Sequence, residues 1–203
     1  MTRFFLTTAM ATVLFGTQAQ AELSVDDAWN TWKVQLASFG LRLEANQNHD
    51  GDALQIGEMR ATLDFPLGAG KAYLSMNGPR FAPMEDGSVA VTFANAGLMS
   101  LGGDIQGEGS LALAFEIEGG GASGVMSGIP GDVVTKWSSD GITANLVDMA
   151  DSSVQACDVS GMIRLGPMTS TVSTVMDKMH IIMTADSEWA GYDISYTASI
   201  PGL

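Results

Sequence analysis

The chain is 203 residues long, 46% hydrophobic and 16% charged, and its 23 acidic against 9 basic side chains give a formal net charge of −14. A mean hydropathy of +0.17, with four Trp, eight Phe and three Tyr, excludes an intrinsically disordered acidic chain, which lacks the apolar area to offset ordering entropy. Four Lys and five Arg are too few to offset repulsion from a phosphate backbone, so nucleic acid is not an expected partner.

Arg3 precedes an apolar stretch from Phe4 to Phe15, shorter than the roughly 20 residues a bilayer core demands. Thr17-Gln18-Ala19-Gln20-Ala21 then offers the small-x-small pattern read by a signal peptidase. Residues 1–21 are therefore expected to be a signal peptide cleaved after Ala21, and residues 22–203 the mature, periplasmic or secreted chain. The competing reading is a buried N-terminal helix. Loss of Arg3 takes the formal charge from −14 to −15. No later segment is long and apolar enough to span a membrane as a helix. Cys157 is the only cysteine, far from the cleavage site, so neither a lipid-attachment cysteine nor an internal disulfide is expected. Its neighbours Ala156 and Asp158 supply no cation to activate the thiol, which reads as a small, partly buried side chain.

The first element of the mature chain is a helix. Ser24 is a good N-cap, and Asp27 three residues on completes a capping box built with Asp. Val25, Ala28, Trp29, Trp32, Leu36 and Phe39 stack on one face while Asn30, Lys33 and Gln35 point elsewhere; Gly40 is the expected stop. This face reads first as core, and second as a ligand or partner surface made of Trp29, Trp32, Leu36 and Phe39. Membrane-surface helices carry several cations on the polar face, and this one has Lys33 alone.

From Leu41 the period changes to two. Val89, Val91 and Phe93 alternate with small or polar residues, as do Leu111, Leu113, Phe115 and Ile117. The pattern returns in Ile142, Ala144 and Leu146, in Val159, Gly161, Ile163 and Leu165, and in Tyr192, Ile194, Tyr196, Ala198 and Ile200. These are half-buried antiparallel strands. Between Leu54-Ile56 and Met59-Ala61-Leu63-Phe65 the apolar phase flips across Gly57, which predicts a β-bulge and a bend. Asp50-Gly51, Asn77-Gly78-Pro79, Asp86-Gly87, Gly102-Gly103, Gly119-Gly120-Gly121, Pro130-Gly131 and Asp140-Gly141 read as turns between strands.

The fold class is mainly β: one N-terminal amphipathic helix, then a curved antiparallel meander of about ten strands, with a β-sandwich as the alternative. A weak echo between Ser127-Gly128-Ile129-Pro130-Gly131 and Ser199-Ile200-Pro201-Gly202-Leu203 divides this domain into two candidate modules, 22–131 and 132–203. It also raises the expectation of truncation at Leu203, or of a last strand that pairs with another chain.

Candidate chemistry is sparse. Asn46 to Asp52 carries alternating oxygen side chains with Gly51 sixth, as in a calcium loop, but the twelfth position is Gly57 and Glu58 comes one residue late, so the stretch reads as a hairpin turn. Met176, Met179, His180 and Met183 combine thioethers and an imidazole, soft ligands suited to Cu(I) in an exported protein. Against that, Met179, Ile181 and Met183 share one strand face, as core residues do, and His180 points to the other. Eleven Met in the mature chain also suit a flexible apolar surface that takes varied ligands. Only His49 and His180 are available as imidazole bases, and no G-x-S-x-G elbow occurs. Glu116 and Glu118 share one strand face between small and apolar residues and read as a solvated outer face. Gly119-Gly120-Gly121 lacks the Lys and capped helix of a phosphate cradle. No catalytic residue and no cofactor is expected.

Ala28-Trp29-Asn30-Thr31-Trp32, Phe39-Gly40-Leu41, His49-Asp50-Gly51-Asp52-Ala53-Leu54 and Pro130-Gly131-Asp132 together resemble an uncharacterised alphaproteobacterial periplasmic family, the domain of unknown function 2125. The resemblance is one of pattern over about two-thirds of the mature chain. It implies export, a short Trp-bearing helix and many strand-turn repeats; it implies no catalytic or ligand residue. The leading functional expectation is non-enzymatic binding of an apolar ligand, such as a lipid, or of an envelope protein. The alternatives are a periplasmic Cu(I)-binding protein using the Met/His cluster, and a structural or assembly protein pairing through an edge strand.

Overall fold

The structure, a computed structural model, describes residues 22–151, 158–177 and 180–199. Helix α1 (Val25–Ser38) begins where the capping residues place it: the Ser24 hydroxyl accepts the Asp27 N–H at 3.1 Å and donates to the Asp27 carboxylate at 2.5 Å. Gly40, with φ of +80°, lets the chain leave the helix in a left-handed conformation that costs other residues about 1 kcal/mol or more.

Fourteen strands follow among the described residues, all in one antiparallel sheet. In chain order they make eight long ribbons. The first two are β1 (Leu41–Asp50) and β2 (Ala53–Asp64). The other six are each broken once: β3 (Gly70–Asn77) with β4 (Arg80–Pro83), β5 (Val89–Thr92) with β6 (Ala96–Ile105), β7 (Gly109–Glu118) with β8 (Ser123–Ile129), β9 (Asp132–Ser139) with β10 (Ile142–Asp151), β11 (Asp158–Leu165) with β12 (Met168–Met176), and β13 (Ile181–Trp189) with β14 (Tyr192–Ser199).

Pairing sorts the halves into two wings. β4, β5, β8, β9, β12 and β13 follow one another in one wing, and β3, β6, β7, β10, β11 and β14 in the other. Both start on β2, whose Leu54 and Gln55 pair with β4 while residues 58–64 pair with β3; β1 pairs with β2 alone. Residues on either side of position 131 belong to this one sheet, since β8 pairs with β9 and β7 with β10.

The wings meet at a seam that is hydrogen-bonded from ribbon to ribbon. Gly78 donates to the Gly57 carbonyl at 2.7 Å, Phe93 to Ala122 at 2.9 Å, and Gly166 to Gly191 at 2.9 Å. The pleat turns so tightly here that a Cβ on Gly121 would meet the Phe93 carbonyl oxygen at 2.9 Å and the Asn95 side-chain oxygen closer still. Here the structure corrects the turn assignments. Asp50-Gly51, Asp86-Gly87 and Pro130-Gly131 do reverse the chain, whereas Asn77-Gly78-Pro79, Gly119-Gly120-Gly121 and Asp140-Gly141 are in-line breaks from which the ribbon passes into the other wing, and Gly102-Gly103 lies inside β6. Glycine and proline relieve a ladder in either case, so their presence does not distinguish a reversal from a bend. The breaks also raise the strand number from about ten to fourteen, and the sheet is open rather than a sandwich of two.

The bulge at Gly57 is present. Ala45 pairs with Met59 but Gln47 with Ile56, so Gly57 and Glu58 together oppose Asn46, and the apolar side chains of β2 stay on the inner face through the flip. A second irregularity, Val147 in β10, separates Leu146, opposite Phe115, from Asp148, opposite Ala114.

Helix α1 fills the inner face of the first wing. Trp29 and Phe81 are buried with ring centroids 5.8 Å apart, Trp32 stands 6.0 Å from Phe93, and Phe93 6.2 Å from Trp137. Leu54, Ile56, Val89, Val91, Met126 and Val133 close the core beneath them. Each large apolar side chain so buried contributes on the order of 1.5–3 kcal/mol. The wing curls round the helix: α1 packs on β1 at one side, while at the other Gln35 donates to the buried Thr174 hydroxyl of β12 at 2.7 Å. That overturns the expected orientation of Gln35, which is 8% exposed, because the helix is embraced on more than one face rather than laid on a flat sheet.

Candidate functional site

The second wing has no such cover among the described residues. Alternation puts its apolar side chains on the inner face, and the register lines them up across strands. One row runs Met59, Met76, Met99, Phe115, Leu146, Gly161 and Tyr196; a second runs Ala61, Leu74, Leu101, Leu113 and Met149; a third runs Ile117, Ala144, Ile163 and Ile194. Met59, Phe115 and Ala144 are buried, but Leu101, Ile105 and Leu111 are exposed, and so are Tyr192, Ile194 and Tyr196 at the far edge. The opposite face is polar, with Arg60 stacked on Tyr73 at 4.1 Å and Lys71 paired with Asp104 at 3.2 Å.

At the β3–β6–β7 end this floor deepens into a hollow of about 410 Å³. Its base is formed by small residues, Ala72 on β3 and Gly103 on β6; Gly103 tolerates no larger side chain, since a Cβ would lie 2.9 Å from the Lys71 carbonyl oxygen. Phe65, Leu101, Ile105, Leu111 and Leu113 wall it, with Glu108 in the β6–β7 turn and Ser110 at the start of β7. Glu108 is the one charged side chain in the lining. The size lies within the roughly 300–1,000 Å³ usual for small-molecule sites, and the flexible thioethers of Met76 and Met99 flank the floor.

The residues singled out from sequence fall elsewhere. Trp29 is 1% exposed and Trp32 and Leu36 are half-buried, so this face of the helix is core; Phe39 alone projects, 65% exposed. Met176 and Met183 both lie on the inner face of the first wing, Met183 opposite Thr174 and within 3.6 Å of the Ser38 hydroxyl. His180 sits in the turn, where its backbone N–H donates to the Asp177 carboxylate at 2.7 Å and its imidazole lies 3.5 Å from the same group. Met179, Cys157 and residues 1–21 lie outside the described residues. The stretch 46–52 is the β1–β2 hairpin, with His49 3.5 Å from Asp26 and Asp50 3.6 Å from Arg80. Glu116 and Glu118 are exposed on the polar face of β7.

The hollow is only partly legible in the sequence. Its walls are visible in the alternation of Leu111 and Leu113, but Phe65, Ala72 and Gly103 give no sign in sequence that they meet. No protein-family model matches this chain, and no curated protein and no solved structure matches it either.

Proposed function

We propose that this protein is an exported, non-enzymatic binding protein that takes a lipid chain on the inner face of the second wing, with the hollow at Leu101, Ile105 and Leu111 as its deepest seat. The observation that carries the reading is the uncovered apolar floor: rows of Leu, Ile, Met and Phe that no helix overlies among the described residues. Contiguous apolar surface of this kind is costly to leave in water and marks a binding site more often than not. Glu108 sets the class of ligand. A carboxylate headgroup is repelled there, so the reading favours an uncharged or zwitterionic lipid over a free fatty acid. Export, and kinship with the family named above, belong to the same proposal and rest on the residues already quoted for them.

At about 0.3 kcal/mol per non-hydrogen atom, a chain of about 20 atoms binds with roughly −6 kcal/mol, a Kd of some tens of micromolar. Delipidated protein titrated with a fluorophore-labelled lysophosphatidylcholine is expected to show saturable one-to-one binding, and weaker binding of a labelled fatty acid of equal length. Leu111→Glu or Ile105→Glu should weaken binding at least tenfold, while Leu98→Glu, on the polar face and 66% exposed, should not. Absence of saturable binding, or equal loss in all three variants, would overturn the proposal.

A further inference from the structure

The two outer edges of the sheet are built differently. At β1 the edge is guarded: residues 46–50 are polar and exposed, the partner strand bulges opposite Asn46, Arg42 pairs with Asp64 at 2.9 Å, and α1 packs alongside. Bulges, charges and covering helices are the devices by which proteins stop an edge from pairing. The ribbon 181–199 at the other edge carries acidic side chains alone and, among the described residues, neither a bulge nor a covering helix. It contains no Lys, Arg or Pro, and its register with β12 and β11 runs through nine and eight pairs without a shift.

Its inner face is also unfinished. Along the Met59 row, Phe115 on β7 is 6% exposed, whereas Tyr196 on β14 is 80% exposed; Tyr192 is 72% and Trp189 57% exposed. One more strand would give these side chains the cross-strand neighbours that their counterparts further in possess. The outer face of the ribbon carries Asp186, Glu188 and Asp193 and no cation. A second copy paired edge to edge would set two such acidic ladders side by side, which is destabilising.

We propose that ribbon 181–199 receives an added antiparallel strand from a partner protein, one that alternates apolar residues toward the inner face with Lys or Arg toward the outer face. Main-chain hydrogen bonds supply the affinity, Trp189, Tyr192, Ile194 and Tyr196 select the apolar positions, and Asp186, Glu188 and Asp193 select the basic ones. The proposal is independent of lipid binding.

The test uses three labelled ten-residue peptides: alternating Val and Lys, alternating Val and Glu, and a shuffled Val/Lys peptide of the same composition. Fluorescence anisotropy and amide hydrogen exchange are read on the whole protein. The alternating Val/Lys peptide is expected to bind at least tenfold more tightly than the other two and to slow exchange along 181–199. Reversal of charge in Asp186→Lys/Glu188→Lys/Asp193→Lys should transfer the preference to the Val/Glu peptide, and Ile194→Lys should weaken both; all four positions are exposed, so the fold tolerates the changes. Equal binding of the shuffled peptide, protection at β1 instead, or no protection anywhere would refute the proposal. So would a dimer in sedimentation that Ile194→Lys dissolves, because it would seat a second copy at the edge.

Discussion

The hydrogen bond from Gln35 to Thr174 joins helix α1 to strand β12 across 139 residues of sequence, at 2.7 Å and out of water. If it ties the helix to the far side of the first wing, Thr174→Val strands the Gln35 amide in an apolar site. The cost of an unsatisfied buried donor is about 1–3 kcal/mol, so about 2 kcal/mol is expected. Gln35→Met leaves a hydroxyl that can rotate, and should cost about 1 kcal/mol. The double variant removes both polar groups and keeps the volume, and should lie close to the parent protein, giving a coupling of about 3 kcal/mol between the two sites. Urea unfolding with unchanged m-values would measure all four corners of the cycle; for a chain of this size about 2 kcal/mol also lowers Tm by roughly 4–8 °C. Additive single effects, each below about 0.5 kcal/mol, would mean that the helix is held by its aromatic face alone and that this bond is not made.

Two further expectations concern the seam and a hairpin. Gly121→Ala drives a methyl group into the Phe93 carbonyl and the Asn95 side chain, whereas Gly51→Asn, at φ of +60° with open space around it, suits a residue that tolerates the left-handed region; thermal unfolding should show a loss of about 2 kcal/mol or more for the first and less than about 0.5 kcal/mol for the second. In the β4–β5 hairpin the Ser88 hydroxyl at 2.5 Å, then the Ser88 backbone N–H at 3.1 Å, hold the Asp86 carboxyl below the usual carboxylate range. A depressed folded-state value means the contribution is present above the unfolded-state value and is lost as pH falls through the folded one. An NMR titration should accordingly show the Asp86 midpoint rising in Ser88→Ala, and an unmoved midpoint would refute the cause assigned here.

Much of the fold is legible in the residues because it is decided locally. Ser24 and Asp27 set the start of the helix, and the period-two runs at Leu111–Ile117 and Tyr192–Tyr196 set strands whose apolar sides coincide with the observed inner face. The phase flip at Gly57 places a bulge that the register confirms. What escapes a one-dimensional reading is what depends on pairing. Gly120 and Asp140 lie twenty positions apart, and only the register brings a Cβ on the first within 2.8 Å of the second. Gln35 reads as a polar-face residue on a helical wheel because nothing in the wheel records that the sheet curls far enough to reach it. The hollow fails for the same reason: it is defined by Ala72 and Gly103 being small and adjacent, a coincidence of register rather than of motif.

A helix of fourteen residues is about 21 Å long, while eight ribbons spaced about 4.8 Å apart make a sheet some 34 Å wide, with strands that run on into a second wing. A single helix cannot cover the apolar side of both wings, and here it lies on the first, where Trp189 on β13 still remains 57% exposed. Among the described residues the second wing is left with an apolar floor and a bare edge, and these two features make separable demands. Leu111 lines the hollow on β7, and Ile194 stands three strands away on β14. Leu111→Glu should therefore weaken lipid binding and leave strand addition intact, and Ile194→Lys should do the reverse. If either substitution abolished both, the floor and the edge would form one continuous binding surface, occupied by a single partner that lies across the wing.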